Sequence, residues 1–294
     1  MWSDLRRGYI YSILASIMFG SAGIFVKLSY NIGLDSINIL VAQYIIAVII
    51  MFLFIFISDR KKLLLNRTQI FHLAVLGICG NTFMTLFYYE AFKYLSVAMV
   101  TMLLFTYPIM VFIYSVLRKN EKVTLRKFIA ILISFAGCIM GLNIFGENLN
   151  YSIRGVIFGL LSAVFYAFMN LYSEKKFKDV DSMSINAYST LFSLIVLLIY
   201  RSPHFLSGGN LNIHSTLYIL MLAVFSEIIP LTLLYSSIKY IGAVKTSIIG
   251  NLEIPASIVF STLLLGENIN IVQIVGAVFI VYAIYIIRGR TYAH

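Results

Sequence analysis

Long apolar blocks alternate with short polar stretches along the whole chain. A helix needs roughly 20 apolar residues to cross the hydrocarbon layer. Ten blocks come near that length: Tyr9–Tyr30, Ile37–Ser58, Ile70–Phe92, Val97–Leu117, Leu125–Phe145, Gly155–Tyr172, Ile185–Tyr200, Leu217–Ile238, Thr246–Leu265 and Ile271–Ile287. The seventh and tenth are short, and the connections are brief. The pattern predicts an all-α integral membrane protein with ten transmembrane helices and no soluble domain between them.

The blocks repeat. At a constant shift of 146 residues Ser16 meets Ser162, Phe19 meets Phe165, Ser36 meets Ser182, Tyr89 meets Tyr235, Lys93 meets Lys239, Tyr94 meets Tyr240 and Glu121 meets Glu267. Pro108 and Pro255 match after a one-residue slip. The expected units are therefore residues 1–146 and 147–294, with five spans each. Five is odd, so equivalent residues face opposite sides of the membrane. That is an inverted-topology repeat, on which many secondary transporters are built.

Charge fixes the orientation, because basic residues are retained on the cytoplasmic side. One alternating set of loops and ends holds 18 basic residues, among them Arg6, Arg60, Lys62, Arg118, Lys175 and Arg288. The other set holds 3, which are Lys93, Arg154 and Arg201. Both termini are thus expected in the cytoplasm, with the chain in the cytoplasmic (inner) membrane. The net charge of +10 then reads as a topology signal, and no nucleic-acid partner is expected.

Composition agrees. The chain is 61% hydrophobic and only 12% charged, where a soluble domain is about a quarter charged. Cys79 and Cys138 each lie inside an apolar block and read as buried thiols. The histidines, His72, His204, His214 and His294, form no ligand pair at helical spacing. No phosphate-loop pattern is present, so no metal, cofactor or ATPase engine is expected, and the chain is not read as an enzyme.

Several stretches resemble the EamA family of the drug/metabolite transporter superfamily: MFGSAGIFVK in the first span, YYEAFKYLSVAMV across the third and fourth, VFYAFMNLYSEKK in the sixth, and NLEIPASIVFSTLLLGE in the ninth. The resemblance covers nearly the whole chain as two EamA-like repeats. It implies a ten-helix carrier of small metabolites or drugs, and names no substrate. Relatives often carry an arginine early in the second span, where this chain has Gln43. The missing cation implies a site less suited to anions.

Ionisable groups inside a membrane are costly and mark functional sites by default. Glu227, in SEIIPL, lies near the middle of the eighth span, three residues before Pro230. A proline leaves the carbonyl four residues back, on Ser226, without its usual donor. A carboxylate beside a free carbonyl is a candidate cation or proton site. Glu253, in NLEIP, is also central and precedes Pro255, which frees the carbonyl of Asn251. It is read either as a site or as helix-packing scaffold. Glu90 lies near the outer end of the third span, where a glutamate reaches water. With Lys27 and Tyr89 it is a candidate outer gate. The image of Glu227 under the repeat is Asn81 and that of Glu90 is Ser236, so the halves match in shape and differ in charge. The neutral candidates are Gln43, Asn81, Thr85, Tyr88, Tyr89, Tyr166, Asn170 and Asn251. Asn81, Thr85 and Tyr88 share one face of a regular helix. The GSAG stretch, Gly20 to Gly23, is expected to allow close helix approach.

These readings converge on a secondary carrier for a small polar metabolite or drug-like amine, working by alternating access with possible exchange against protons. An amino-acid exporter is the nearest alternative. A channel would need a ring of like residues around one axis, which an inverted repeat does not supply.

Overall fold

The computed structural model describes residues 2–30, 36–118, 124–143, 152–200, 213–266 and 268–288; side chains 2–3, 22–30, 36, 213–215, 265 and 288 are outside the description. The described residues are mostly helical, with no strand among them. In chain order the helices are α1 (Trp2–Tyr30), α2 (Ser36–Ser58), α3 (Arg67–Phe92), α4 (Val97–Leu117), α5 (Leu125–Gly141), α6 (Ile153–Lys176) and α7 (Ser182–Tyr200). The run from Ile213 to Gly250 turns at Gly242, whose φ of 81° and ψ of 163° are not helical. We therefore divide it into α8 (213–241) and α9 (243–265), followed by α10 (Ile271–Arg288). Among the described residues six stretches are long and apolar enough to cross a membrane: Ile37–Ser58, Arg67–Phe92, Val97–Leu117, Ile153–Lys176, Ser182–Tyr200 and Thr216–Gly250. Glu253–Leu264 and Ile271–Ile287 are shorter apolar helices.

Local chemistry sets the ends. Asn66 and Gln69 form a reciprocal capping box at the start of α3, with contacts of 2.8 and 2.9 Å. Ser96 accepts from Met99 N–H at 3.3 Å and starts α4. Its image under the 146-residue shift is Gly242, which has no side chain to cap with. There the Ala243 N–H is met instead by Glu174 Oε1 of α6, at 3.2 Å.

Interior breaks recur in matched places. Residues Leu76–Thr82 of α3 and Ala223–Ile228 of α8 are π-helical. Helix α4 is interrupted between Leu104 and Tyr107, and α9 between Gly250 and Glu253. Pro108 and Pro255 follow those breaks in the first turn of the next segment, where a missing N–H costs little. The helix pairs are matched too. Helix α1 packs on α8 and α9, as α6 packs on α3 and α4, while α2 pairs with α7 and α5 with α10. A Cβ on Gly8 of α1 would lie 2.7 Å from Tyr240 Cβ and 2.6 Å from Ile241 Cγ2. One on Gly155 of α6 would lie 2.8 Å from Tyr94 Cβ and 2.6 Å from Leu95 Cγ. Tyr94 and Leu95 are the images of Tyr240 and Ile241, so the same crossing is built twice. Gly20 of the GSAG stretch also approaches closely: its Cβ would stand 2.7 Å from Ala256 Cβ of α9.

Candidate substrate and proton site

Helix α7 carries a buried polar stripe, Asn186, Ser189, Thr190 and Ser193, at helical spacing. Asn186 and Thr190 reach the π segment of α8, while Ser193 meets Thr82 in the π segment of α3 at 2.8 Å. Glu227, only 6% exposed, sits in the α8 segment and meets Thr190 Oγ1 at 2.8 Å through Oε1. Asn186 Nδ2 shares its two protons among the carbonyls of Glu227 and Ile228, at 3.0 and 3.2 Å, and Thr232 Oγ1, at 3.1 Å. The sequence points to Ser226 as the carbonyl freed by Pro230. In the structure that turn is π-helical, and Asn186 takes up the carbonyls of residues 227 and 228.

Counting hydrogens defines the charge state this geometry favours. The Thr190 hydroxyl has one proton but stands between Glu227 Oε1 and, at 3.1 Å, Asn186 Oδ1. The Asn186 amide is oriented by the two carbonyls its nitrogen meets. Both Thr190 contacts close as hydrogen bonds when the Glu227 carboxyl donates to Thr190 and Thr190 donates to Asn186. With Glu227 ionised, Thr190 can satisfy only one of them.

Near the carboxyl lie Tyr44 of α2 and Tyr235 of α8, and Tyr44 in turn neighbours Thr85 and Tyr89 of α3. Asn81, in the π segment of α3, is buried, and neither of its side-chain polar atoms has a partner among the described residues. The Tyr235 hydroxyl approaches Asn81 and Ser189 without closing a hydrogen bond to either. Under the 146-residue shift Asn81 is the image of Glu227, Tyr44 of Thr190, Tyr89 of Tyr235 and Gln43 of Ser189. The site is thus assembled from matched positions of both repeats.

A second group adjoins it. Tyr166 of α6 stacks near Tyr107 of α4, with ring centroids 4.2 Å apart. Both lie near Glu253, as does Cys138, and Tyr166 also neighbours Tyr235. Tyr107 hydroxyl donates to Ser247 O at 3.1 Å.

The sequence candidates therefore separate. Glu227, Asn81, Thr85 and Tyr89 come together, and Tyr166 with Glu253 forms the adjoining group. Gln43 is buried next to Tyr44. Tyr88 turns to α4, its hydroxyl 3.2 Å from Thr101 Oγ1; the π turn around Asn81 breaks the regular phase that would align the two. Asn251 Nδ2 donates to Ser134 of α5 at 2.7 Å, and Asn170 to Tyr166 O of its own helix at 2.9 Å. Glu90 pairs with Lys93 on its own helix at 2.6 Å, while the Lys27 side chain lies outside the described residues. The sequence reading missed Tyr44, Tyr107, Asn186, Thr190 and Tyr235.

The basic end of the molecule is tied across the two repeats. Lys62, after α2, pairs with Asp181, before α7, at 2.9 Å. Ser184 donates to Lys62 O at 3.1 Å and Tyr188 to Leu63 O at 3.0 Å. Lys239 of α8 donates to Val180 O.

Residues 6–142 and 153–289 each match the model of the EamA-like transporter family. The chain belongs to that family. Among its relatives are the uncharacterized transporter YcbK of Bacillus subtilis, 23% identical over 93% of this chain and 90% of that one, and uncharacterized transporters of Clostridium kluyveri (24%, 94% and 91%) and Archaeoglobus fulgidus (24%, 96% and 96%). A crystal structure with 14% identity superposes at a TM-score of 0.80, covering 96% of both chains, and shares the fold. This EamA-like chain is therefore a multi-pass membrane protein of a transporter family, built from two repeats.

Proposed function

We propose that the protein is a secondary active carrier that moves a small polar organic amine across the cytoplasmic membrane by alternating access, exchanging it for a proton at Glu227. Its ten helices are read as two inverted five-helix repeats, 1–146 and 147–294, with both termini cytoplasmic. The carrying observation is the Glu227–Thr190–Asn186 relay, buried where matched positions of both repeats meet. A protonated Glu227 completes the relay. An ammonium group replacing that proton takes the same carboxylate, so the two ligands compete and their movements couple. Tyr44 and Tyr235 offer aromatic faces that suit an organic cation.

The Lys62–Asp181 pair and the Lys239–Val180 contact act as a cytoplasmic latch, closed in the state described. A second reading, an amino-acid exporter, is favoured by one observation. The amide of Asn81 and the hydroxyl of Tyr235 are neutral donors beside Glu227 and could receive a substrate carboxylate while Glu227 takes its amine.

The test is uptake into proteoliposomes of a panel of amines, amino acids and nucleosides, with and without a pH gradient. The proposal expects saturable, gradient-dependent uptake of an amine, and a Glu227→Gln protein that loses the gradient dependence. Gradient-indifferent transport unchanged by Glu227→Gln would sink it. Single-channel currents would replace the carrier with a channel.

A further inference from the structure

Helices α4, α6 and α8 leave a cavity of about 1160 Å³ on the basic side of the molecule, separate from the Glu227 site. Its rim is cationic. Arg118 ends α4, Lys175 and Lys176 end α6, and Lys178 follows in the turn to α7. No salt bridge ties these four to an acid among the described residues. The one acid in the lining, Glu174, has Oε1 on the Ala243 N–H. Arg118 leans over the Tyr114 ring, its guanidinium carbon 5.5 Å from the centroid.

Below the rim the walls are apolar and open sideways. Val164 and Tyr114 line the cavity and are 47% and 41% exposed. From Val164 the exposed stripe continues down α6 through Leu160 and Ile157, at the spacing of one helix face. In a membrane that stripe faces acyl chains. Topology alone accounts for basic residues at this end of the helices. It does not account for Arg118 of α4 meeting Lys175, Lys176 and Lys178, at and just past the end of α6, over one groove with an apolar floor. A soluble anion would use the rim and leave the floor unused, whereas a lipid uses both.

We propose that this cavity is a binding site for an anionic phospholipid, with its phosphate held by Arg118, Lys175, Lys176 and Lys178 and an acyl chain lying along Val164 and Phe168. Basic pockets between transmembrane helices recognise such headgroups. The site requires membrane embedding and is independent of the substrate reading. A site of this kind links the carrier to its bilayer at the C-terminal end of α6, the helix whose Glu174 caps α9.

The experiment is native mass spectrometry and lipid titration of the purified full chain, using phosphatidylglycerol, phosphatidylcholine and inorganic phosphate as separate probes. The expected result is retained phosphatidylglycerol that phosphatidylcholine does not displace. The Lys175→Gln, Lys176→Gln, Lys178→Gln protein should bind it on the order of 100-fold more weakly, at roughly fivefold per cation. A control protein with Arg60→Gln, Arg67→Gln and Arg126→Gln removes equal charge elsewhere on the same side and should keep wild-type binding. Val164→Trp fills the groove without changing charge and should also weaken binding, which keeps the proposal testable if the triple variant folds poorly. Equal loss in the control would reduce the effect to general surface charge. Equal affinity for phosphatidylcholine, or tight phosphate binding untouched by Val164→Trp, would overturn the lipid site.

Discussion

Replacing Asn81 by leucine should raise stability while abolishing transport. Asn81 is 3% exposed, and both its side-chain oxygen and nitrogen lack partners among the described residues. A buried polar group without a partner costs about 1–3 kcal/mol. Leucine has a similar size and nothing to satisfy, so Asn81→Leu should recover an amount in that range. At roughly 2–4 °C per kcal/mol for a chain of this size, the melting temperature should rise by several degrees. The amide is then retained for what it binds, and its loss should appear as uptake reduced to background. The assays are thermal unfolding by circular dichroism in detergent and proteoliposome uptake on the same preparation. A variant that unfolds at lower temperature would show that the Asn81 amide is structural. A more stable variant with wild-type uptake would show that it does not serve the substrate.

Asn186→Leu should do the reverse to stability. It removes the amide whose two protons serve the Glu227 and Ile228 carbonyls and the Thr232 hydroxyl of α8, and at about 0.6 kcal/mol per interhelical bond in a membrane the loss is about 1 kcal/mol, read from the same melts. Glu227→Gln should leave folding intact and make uptake insensitive to a pH gradient, measured with an internal pH dye. Lys62→Ala or Asp181→Ala should open the proposed latch and speed labelling of a Ser184→Cys protein by an impermeant maleimide, whereas the exchanged pair, Lys62→Asp with Asp181→Lys, should restore slow labelling. Asp181 holds the Lys62 ammonium above its usual pKa. The stability this shift supplies is therefore complete below the ordinary lysine value of about 10.4 and is lost as pH rises through the raised one.

Much of this architecture was legible because it rests on long patterns. Apolar blocks located the helices but not all their ends: α1 begins at Trp2 rather than Tyr9, α3 begins at Arg67 rather than Ile70 and α6 extends to Lys176. The 146-residue shift paired Pro108 with Pro255 after a one-residue slip, and the structure breaks both helices just before them. Glu227 was visible because an acid in an apolar block is conspicuous. Its partners were not, because Asn186 and Thr190 lie in SINAYSTLFS, whose small polar residues blend into a hydrophobic run. Their spacing on one helix face was the available signal. Tyr44 and Tyr235 could not be told from the other tyrosines, since only the pairing of α2 with α7 and the packing of α8 bring them to the carboxyl. The π turns were illegible for a different reason. They shift the phase of α3 and α8 by part of a turn, so regular periodicity put Tyr88 on the face of Asn81, and nothing in the sequence marked the carbonyls of residues 227 and 228 that Asn186 meets.

The matched positions also make the exchange of conformations testable. Glu227 meets Thr190 in the state described, and the images of that pair are Asn81 and Tyr44. If alternating access swaps the conformations of the two repeats, the opposite state should bring Tyr44 onto Asn81 as Thr190 now stands on Glu227. The two hydroxyls then stabilise opposite states. Thr190→Val should weaken the present, latched state, and Tyr44→Phe should weaken the other. Each removes one interhelical hydrogen bond, worth about 0.6 kcal/mol on average and at most about 1.7 in a membrane, so the populations should move by roughly three- to twentyfold in opposite directions. Ser184→Cys, in a chain with Cys79 and Cys138 replaced by alanine, reports latch opening through its labelling rate. Thr190→Val should speed that labelling and Tyr44→Phe should slow it. Changes of the same sign would mean that the two residues support a single state. In that case the repeat would describe how the chain is built but not how it moves.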